Sequence, residues 1–178
     1  MLEELIDNAQ KLPDYDLSSW KPIFHGDMDL VIGADGTWCH QGSPILKAKI
    51  KQLFGRLLQL QDNGDYWIIT PVEAFRVTVE DLPFIIVSAD FVHKNGLDVW
   101  QFTTNMGDQI NLCQADQLQV TFNADQPQPR LYVRDGLWAR INRSVFYQLA
   151  LACDVVESSQ GDCAWLTSGH HRYCFGPV

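Results

Sequence analysis

An internal repeat constrains this chain more than any other feature. Asp35-Gly36-Thr37-Trp38 returns as Asp135-Gly136-Leu137-Trp138 one hundred positions later, and its surroundings return with it. Ser43-Pro44 follows the first copy and Asn142-Arg143-Ser144 the second, each a helix-start signal. Apolar residues then fall at Leu46, Ile50, Leu53, Phe54 and Leu57, and with matching spacing at Val145, Leu149, Ala152, Cys153 and Val156. Each predicted helix ends in a Gly-Asp step before an aromatic segment, Gly64-Asp65-Tyr66-Trp67 and Gly161-Asp162-Cys163-Ala164-Trp165. Two copies of one turn–strand–helix–strand unit imply a pseudo-symmetric architecture.

The rest of the chain fits around that unit. Leu2, Leu5, Ile6, Ala9 and Leu12 share one face of a predicted N-terminal helix that Pro13 ends. Asp35-Gly36 between apolar residues predicts a hairpin, since Gly supplies the positive φ of a tight turn. Ser43 is the expected N-cap of the first long helix, with Pro44 at its first position and its end near Leu60. Beyond it the pattern turns to strands, apolar over Tyr66–Thr70 and alternating with period two over Phe75–Glu80. Strands are expected over 66–70, 75–80, 84–92, 97–103, 108–113 and 119–122, with Asn95-Gly96 as a second hairpin turn and 126–129 as a loop. The expected fold is α+β, a duplicated hairpin–helix–strand unit around an antiparallel meander. Residues 1–79 form the N-terminal helix and first repeat, and residues 80–178 the antiparallel sheet and second repeat.

Composition narrows the function classes. The 178 residues are 46% hydrophobic and 20% charged, ordinary for a globular chain with a real core. No apolar run approaches the ~20 residues that span a bilayer. The acidic, amphipathic start lacks the pattern of a secretory signal, which predicts a cytoplasmic protein with no membrane partner. Five cysteines form no C-x-x-C pair, and a cytosolic thiol pool is the simpler reading. A net charge of −9 argues against non-specific nucleic-acid binding. Basic residues nevertheless gather in the repeats: Lys47, Lys49, Lys51 and Arg56 in the first, Arg130, Arg134, Arg140 and Arg143 in the second. The first set straddles its helix's apolar stripe and reads as a solvated surface. In the second, a hairpin turning at Asp135-Gly136 pairs Arg140 opposite Leu131 and sets it beside Val133 and Trp138. A guanidinium on such a face needs an anion or an internal carboxylate.

No catalytic signature is present: no G-x-S-x-G elbow, P-loop or G-x-G-x-x-G. His25, Asp27 and Asp29 share a face in a regular strand, but without a fourth ligand at a recognisable spacing they read as a polar strand entry, and neither a metal nor another cofactor is expected. Glu73 after Thr70-Pro71 is a candidate base, or pairs with Arg76. Trp38, matching Trp138 in the repeat, is a candidate for stacking a planar ligand.

Pro22-Ile23, His25-Gly26, Met28-Asp29, Asp35-Gly36-Thr37-Trp38, Gly42-Ser43-Pro44-Ile45, Thr70-Pro71-Val72-Glu73, Phe102-Thr103-Thr104-Asn105 and Ala139-Arg140-Ile141-Asn142-Arg143 together resemble domain-of-unknown-function family 1285, from about Trp20 onward. The resemblance implies a duplicated core, a C-terminal domain superficially like pleckstrin-homology folds, a pocket for a nucleotide-like ligand at the domain junction, and a role in signal transduction. It implies no activity. The expectation is therefore a cytoplasmic binding module for a nucleotide-like anionic small molecule, held by Arg140 and Arg143 and bordered by Thr70, Glu73, Thr103, Thr104, Asn105, His25 and Trp38. The alternatives are a protein-interaction scaffold, whose sheet edges bind a protein partner, and an enzyme acting on a nucleotide-like substrate.

Overall fold

The computed structural model describes residues 20–124, 126–157 and 162–177. The predicted N-terminal helix lies outside them. The fold is α+β and mostly β, and the chain divides into two compact units, Met1–Pro83 and Phe84–Val178.

In the first unit, β1 (Ile23–Ile32) pairs antiparallel with β2 (Trp38–His40), which pairs with β3 (Ser43–Pro44). Helix α1 (Ala48–Leu57) leads into β4 (Leu58–Leu60), β5 (Tyr66–Ile69) and β6 (Glu73–Val79). β6 returns parallel to β1, closing one six-stranded sheet in the order β3-β2-β1-β6-β5-β4. Leu30, Ile32, Trp38, Phe54, Leu57, Leu58 and Ile68 are fully buried and form its core.

The second unit opens with the long hairpin β7 (Phe84–Lys94) and β8 (Leu97–Thr104), turning at Asn95-Gly96, where both residues take positive φ as expected. β9 (Gln109–Asn111), β10 (Leu118–Asn123), β11 (Gln126–Arg134) and β12 (Leu137–Ile141) complete a sheet ordered β10-β11-β12-β7-β8-β9. Helix α2 (Arg143–Leu151) follows, then a three-stranded sheet of β13 (Asp154–Val156), β14 (Cys163–Ser168) and β15 (His171–Pro177).

Four local expectations need correction. Ser43 is not a cap: Ser43 and Pro44 pair with His40 and Cys39 as a short strand, and α1 begins five residues later behind Lys47, which offers no side-chain cap. Leu46, expected on the helix's apolar stripe, precedes the helix and is 87% exposed. The second helix stops at Leu151, so Val156 belongs to an edge strand rather than a buried helical face. The two Asp-Gly turns also differ. Ile32 pairs with Trp38 across a loop in which the Asp35 carboxylate accepts the Thr37 N–H (2.8 Å) and hydroxyl (2.9 Å). Arg134 pairs with Leu137 across a tight two-residue turn, with Asp135 and Gly136 both at positive φ.

The capping pattern gives a direct test. Asn142 caps α2, its Oδ1 accepting the Val145 N–H at 2.8 Å. Asn142→Ala is expected to cost about 0.5–2 kcal/mol in denaturant melts, and Ser43→Ala to stay within about 0.5 kcal/mol of wild type.

Candidate functional site

The structure gathers two of the sequence candidates into one cleft, inside the second unit. Residues 126–129 form the first half of β11 rather than a loop. Among the described residues they pair only with β10, since the β11–β12 register begins at Arg130↔Arg140. An open strand edge explains how Pro127 and Pro129, which cannot donate a ladder hydrogen bond, are tolerated there. Beyond Ile141, β12 leaves the sheet and Asn142 starts α2. The fork encloses a cleft of about 530 Å³, lined by Gln126–Pro129, Arg140, Ile141, Arg143, Phe146 and Tyr147. That volume suits a small molecule.

Arg143, exposed at the first turn of α2, donates from Nε (3.2 Å) and Nη2 (3.0 Å) to the Tyr147 hydroxyl, and its guanidinium carbon lies 5.5 Å from the Tyr147 ring centre. The i,i+4 spacing on the helix brings the two together. Phe146 stacks on Phe175 with ring centres 4.8 Å apart, fixing the cleft's aromatic wall.

Arg140 reaches the cleft by a register other than the expected one. A bulge between Tyr132 and Arg134 shifts the ladder by one residue, so Arg140 lies opposite Arg130 and Ala139 opposite Leu131. Leu137, Ala139 and Ile141 take the buried face of β12, and Trp138 and Arg140 the half-exposed one. On that face Arg130 lies over Trp138, its guanidinium carbon 4.5 Å from the ring centre, and Tyr132 meets Trp138 edge-on at 5.4 Å. Arg130 also donates to Gln119 Oε1 from Nε (3.1 Å) and Nη2 (2.7 Å).

The other candidates do not line this cleft. Trp38 is 1% exposed in the core of the first unit, so its ring is not available for stacking. Thr70, also buried, uses its hydroxyl to close the turn into β6, donating to the Glu73 carbonyl and accepting the Glu73 N–H, both at 3.0 Å. Buried Thr104 accepts the backbone N–H groups of Met106 (3.2 Å) and Asp108 (3.1 Å). Asn105 Oδ1 accepts the Ile85 N–H at 3.1 Å, while Thr103 sits in the ladder opposite Ser88 and Gln109. Thr70 and Thr104 thus satisfy backbone groups of their own turns, and Asn105 satisfies one of β7.

His25 and Asp27 do not share a face. Gly26, at φ +90°, lies where the β1–β6 register shifts by a residue, and a bulge flips the alternation. His25 stacks on Phe75 (5.4 Å) with Nε2 3.7 Å from Glu73, whereas Asp27 pairs fork-to-fork with Arg76, Nη2 to Oδ2 at 3.1 Å. The Arg76 hydrogen bonds hold the Asp27 carboxyl below the usual range, with a Coulombic contribution from the same guanidinium. Glu73 therefore faces His25, not Arg76. Among the described residues no group of three or more His, Cys, Asp or Glu is arranged to hold a metal.

All five cysteines are free. Burial, with the nearby Asp154 charge, pushes the Cys153 thiol up to about 11, the opposite of an activated nucleophile. Among the described residues no helix is long and apolar enough to cross a membrane.

Tyr147, Phe146 and the 126–129 edge were not legible as site residues. Only the Arg143–Tyr147 spacing carried a signal, and it needed the helix to be placed first.

Comparison with known proteins agrees with the resemblance. No curated protein matches the chain. A crystal structure of a DUF1285 family protein from Silicibacter pomeroyi DSS-3 is similar at 28% identity and a TM-score of 0.82, over 98% of this chain and 95% of that one. A second, from Shewanella baltica OS155, is similar at 28% identity and a TM-score of 0.54, over 68% of this chain and 89% of that one. The model of the N-terminal domain of DUF1285, a domain of unknown function, matches residues 16–82, and that of the C-terminal domain of DUF1285, a protein of unknown function, matches residues 83–174. The chain belongs to the DUF1285 family.

Proposed function

We propose that this protein is a cytoplasmic, non-catalytic module that binds a nucleotide-like anionic small molecule and serves in signal transduction. The observation that carries the reading is Arg143. It lines the cleft, and its only hydrogen-bond acceptor among the described residues is the neutral Tyr147 hydroxyl. The Nε/Nη2 edge is the fork that takes a phosphate or carboxylate with two parallel bonds. A single phenol oxygen now sits on both donors, and an incoming oxyanion offers them a stronger, charged acceptor. Arg140 and the aromatic wall of Phe146 and Tyr147 supply a second cation and a stacking surface.

We place the ligand in this cleft rather than among all the residues expected from sequence, because Trp38 is committed to packing, Thr70 and Thr104 to turn closure, and Asn105 to the Ile85 N–H. The reading keeps the duplication. Each unit runs hairpin, helix and three-stranded antiparallel segment, β1-β2-α1-β4-β5-β6 and β11-β12-α2-β13-β14-β15, with the short β3 added in the first. It also takes the second unit as superficially pleckstrin-homology-like.

Calorimetry against mononucleotides and dinucleotides is the test. At least one nucleotide is expected to bind, and Arg143→Ala or Arg140→Lys to weaken it by about tenfold or more, the worth of a charge-assisted hydrogen bond. Absence of binding by every nucleotide, or affinity unchanged in Arg143→Ala, would leave the protein-interaction scaffold as the better account.

A further inference from the structure

Arg130 and Arg140 stand directly opposite each other on adjacent antiparallel strands. Cross-strand partners have Cβ atoms about 4.5–5.5 Å apart, so the two side chains leave the sheet side by side on one face. In a chain with 22 acids against 13 Lys and Arg, a carboxylate is the expected neighbour. Arg76 has two, Asp27 and Asp65, and Arg134 reaches Asp135. Arg130 has none among the described residues. Its Nε/Nη2 edge rests on the amide oxygen of Gln119 and its plane on the indole of Trp138. Arg143 is held in the same way, by one neutral oxygen and one aromatic ring. Two arginines are thus oriented in advance by weak neutral acceptors, one cross-strand from Arg140 and the other three residues beyond it.

We propose that the ligand of the cleft carries two separate phosphate groups, and that Arg130 holds the second of them. This rests on the cleft reading above and deepens it. Arg143 and Arg140 engage the first phosphate. The second lies over the outer face of β11 and β12, where it displaces Gln119 from the Arg130 fork. Trp138 keeps the Arg130 plane fixed, so little side-chain freedom is lost on binding.

The experiment compares adenosine 5′-monophosphate with adenosine 3′,5′-bisphosphate by calorimetry on wild type, Arg130→Gln and Arg143→Ala. In wild type the bisphosphate is expected to bind about tenfold tighter or more, from the added charge-assisted hydrogen bonds. Arg130→Gln should erase that advantage while leaving monophosphate affinity within about twofold. Arg143→Ala should weaken both ligands. Trp138 emission is an independent readout, isolated by difference against Trp138→Phe. It should change with the bisphosphate in wild type and stay constant in Arg130→Gln. A bisphosphate advantage that survives Arg130→Gln, or no advantage in wild type, overturns the proposal. If the Arg143→Ala effect persists in that case, the cleft reading stands without it. Binding of neither probe overturns both.

Discussion

Trp38→Ala is expected to cost about 3–5 kcal/mol of unfolding free energy, the range for deleting a buried large aromatic. The residue is 1% exposed, pairs with Ile32 across the β1–β2 ladder, and belongs with Leu30, Phe54 and Leu57 to the buried core of the first unit. Its indole Nε1 is buried with no acceptor among the described residues, so the side chain contributes through volume and apolar contact rather than a hydrogen bond. Trp38→Phe should therefore recover much of the loss, since the ring that remains still fills part of the cavity and the unpaired N–H is gone. Urea melts of the three proteins decide the point. A Trp38→Ala variant with wild-type stability would mean that the indole is not part of the core.

Ser168→Ala is expected to cost about 1–3 kcal/mol, because it strips partners from two backbone groups at once. Ser168 is fully buried. Its Oγ accepts the Trp100 N–H at 2.9 Å and donates to the Leu112 carbonyl at 2.6 Å, tying β14 to the backbone of β8 and to the segment after β9. The substitution removes one small oxygen and opens almost no cavity, so the loss reads the unmet hydrogen bonds rather than packing. Amide exchange at Trp100 should accelerate in the variant along with the fall in stability. Stability within about 0.5 kcal/mol of wild type, the usual scatter of a surface substitution, would show that water replaces the hydroxyl.

These residues show where sequence reading succeeds. Asn95-Gly96 predicted its hairpin because a tight turn needs positive φ at adjacent positions, and few residue pairs allow that cheaply. The period-two stretch at 75–80 falls on β6, all but Glu80, for a similarly local reason, since alternation follows from the pleat itself. The apolar spacing at Ile50, Leu53, Phe54 and Leu57 placed α1, but not its start. Ser43-Pro44 carries a helix-start signal, and pairing with β2 overrode it.

Arg140 and Arg143 were legible as charged residues in an acidic chain, and adjacency in sequence was enough to keep them together. Their companions were not. Two side-chain placements depend on one-residue irregularities, the bulge after Tyr132 in the second unit and the bulge at Gly26 in the first, and the cleft also needs the edge of β11 at 126–129. A one-residue slip exchanges the two faces of a strand, so an otherwise sound pattern puts Arg140 opposite Leu131 instead of Arg130, and His25 beside Asp27 instead of against Phe75. By itself the sequence determined that the chain is α+β, that hairpins turn at its Asp-Gly and Asn-Gly steps, and that cationic residues cluster near position 140. Tertiary structure decided which residues face each other across strands, because register is set by the balance of many long-range contacts and not by any local preference.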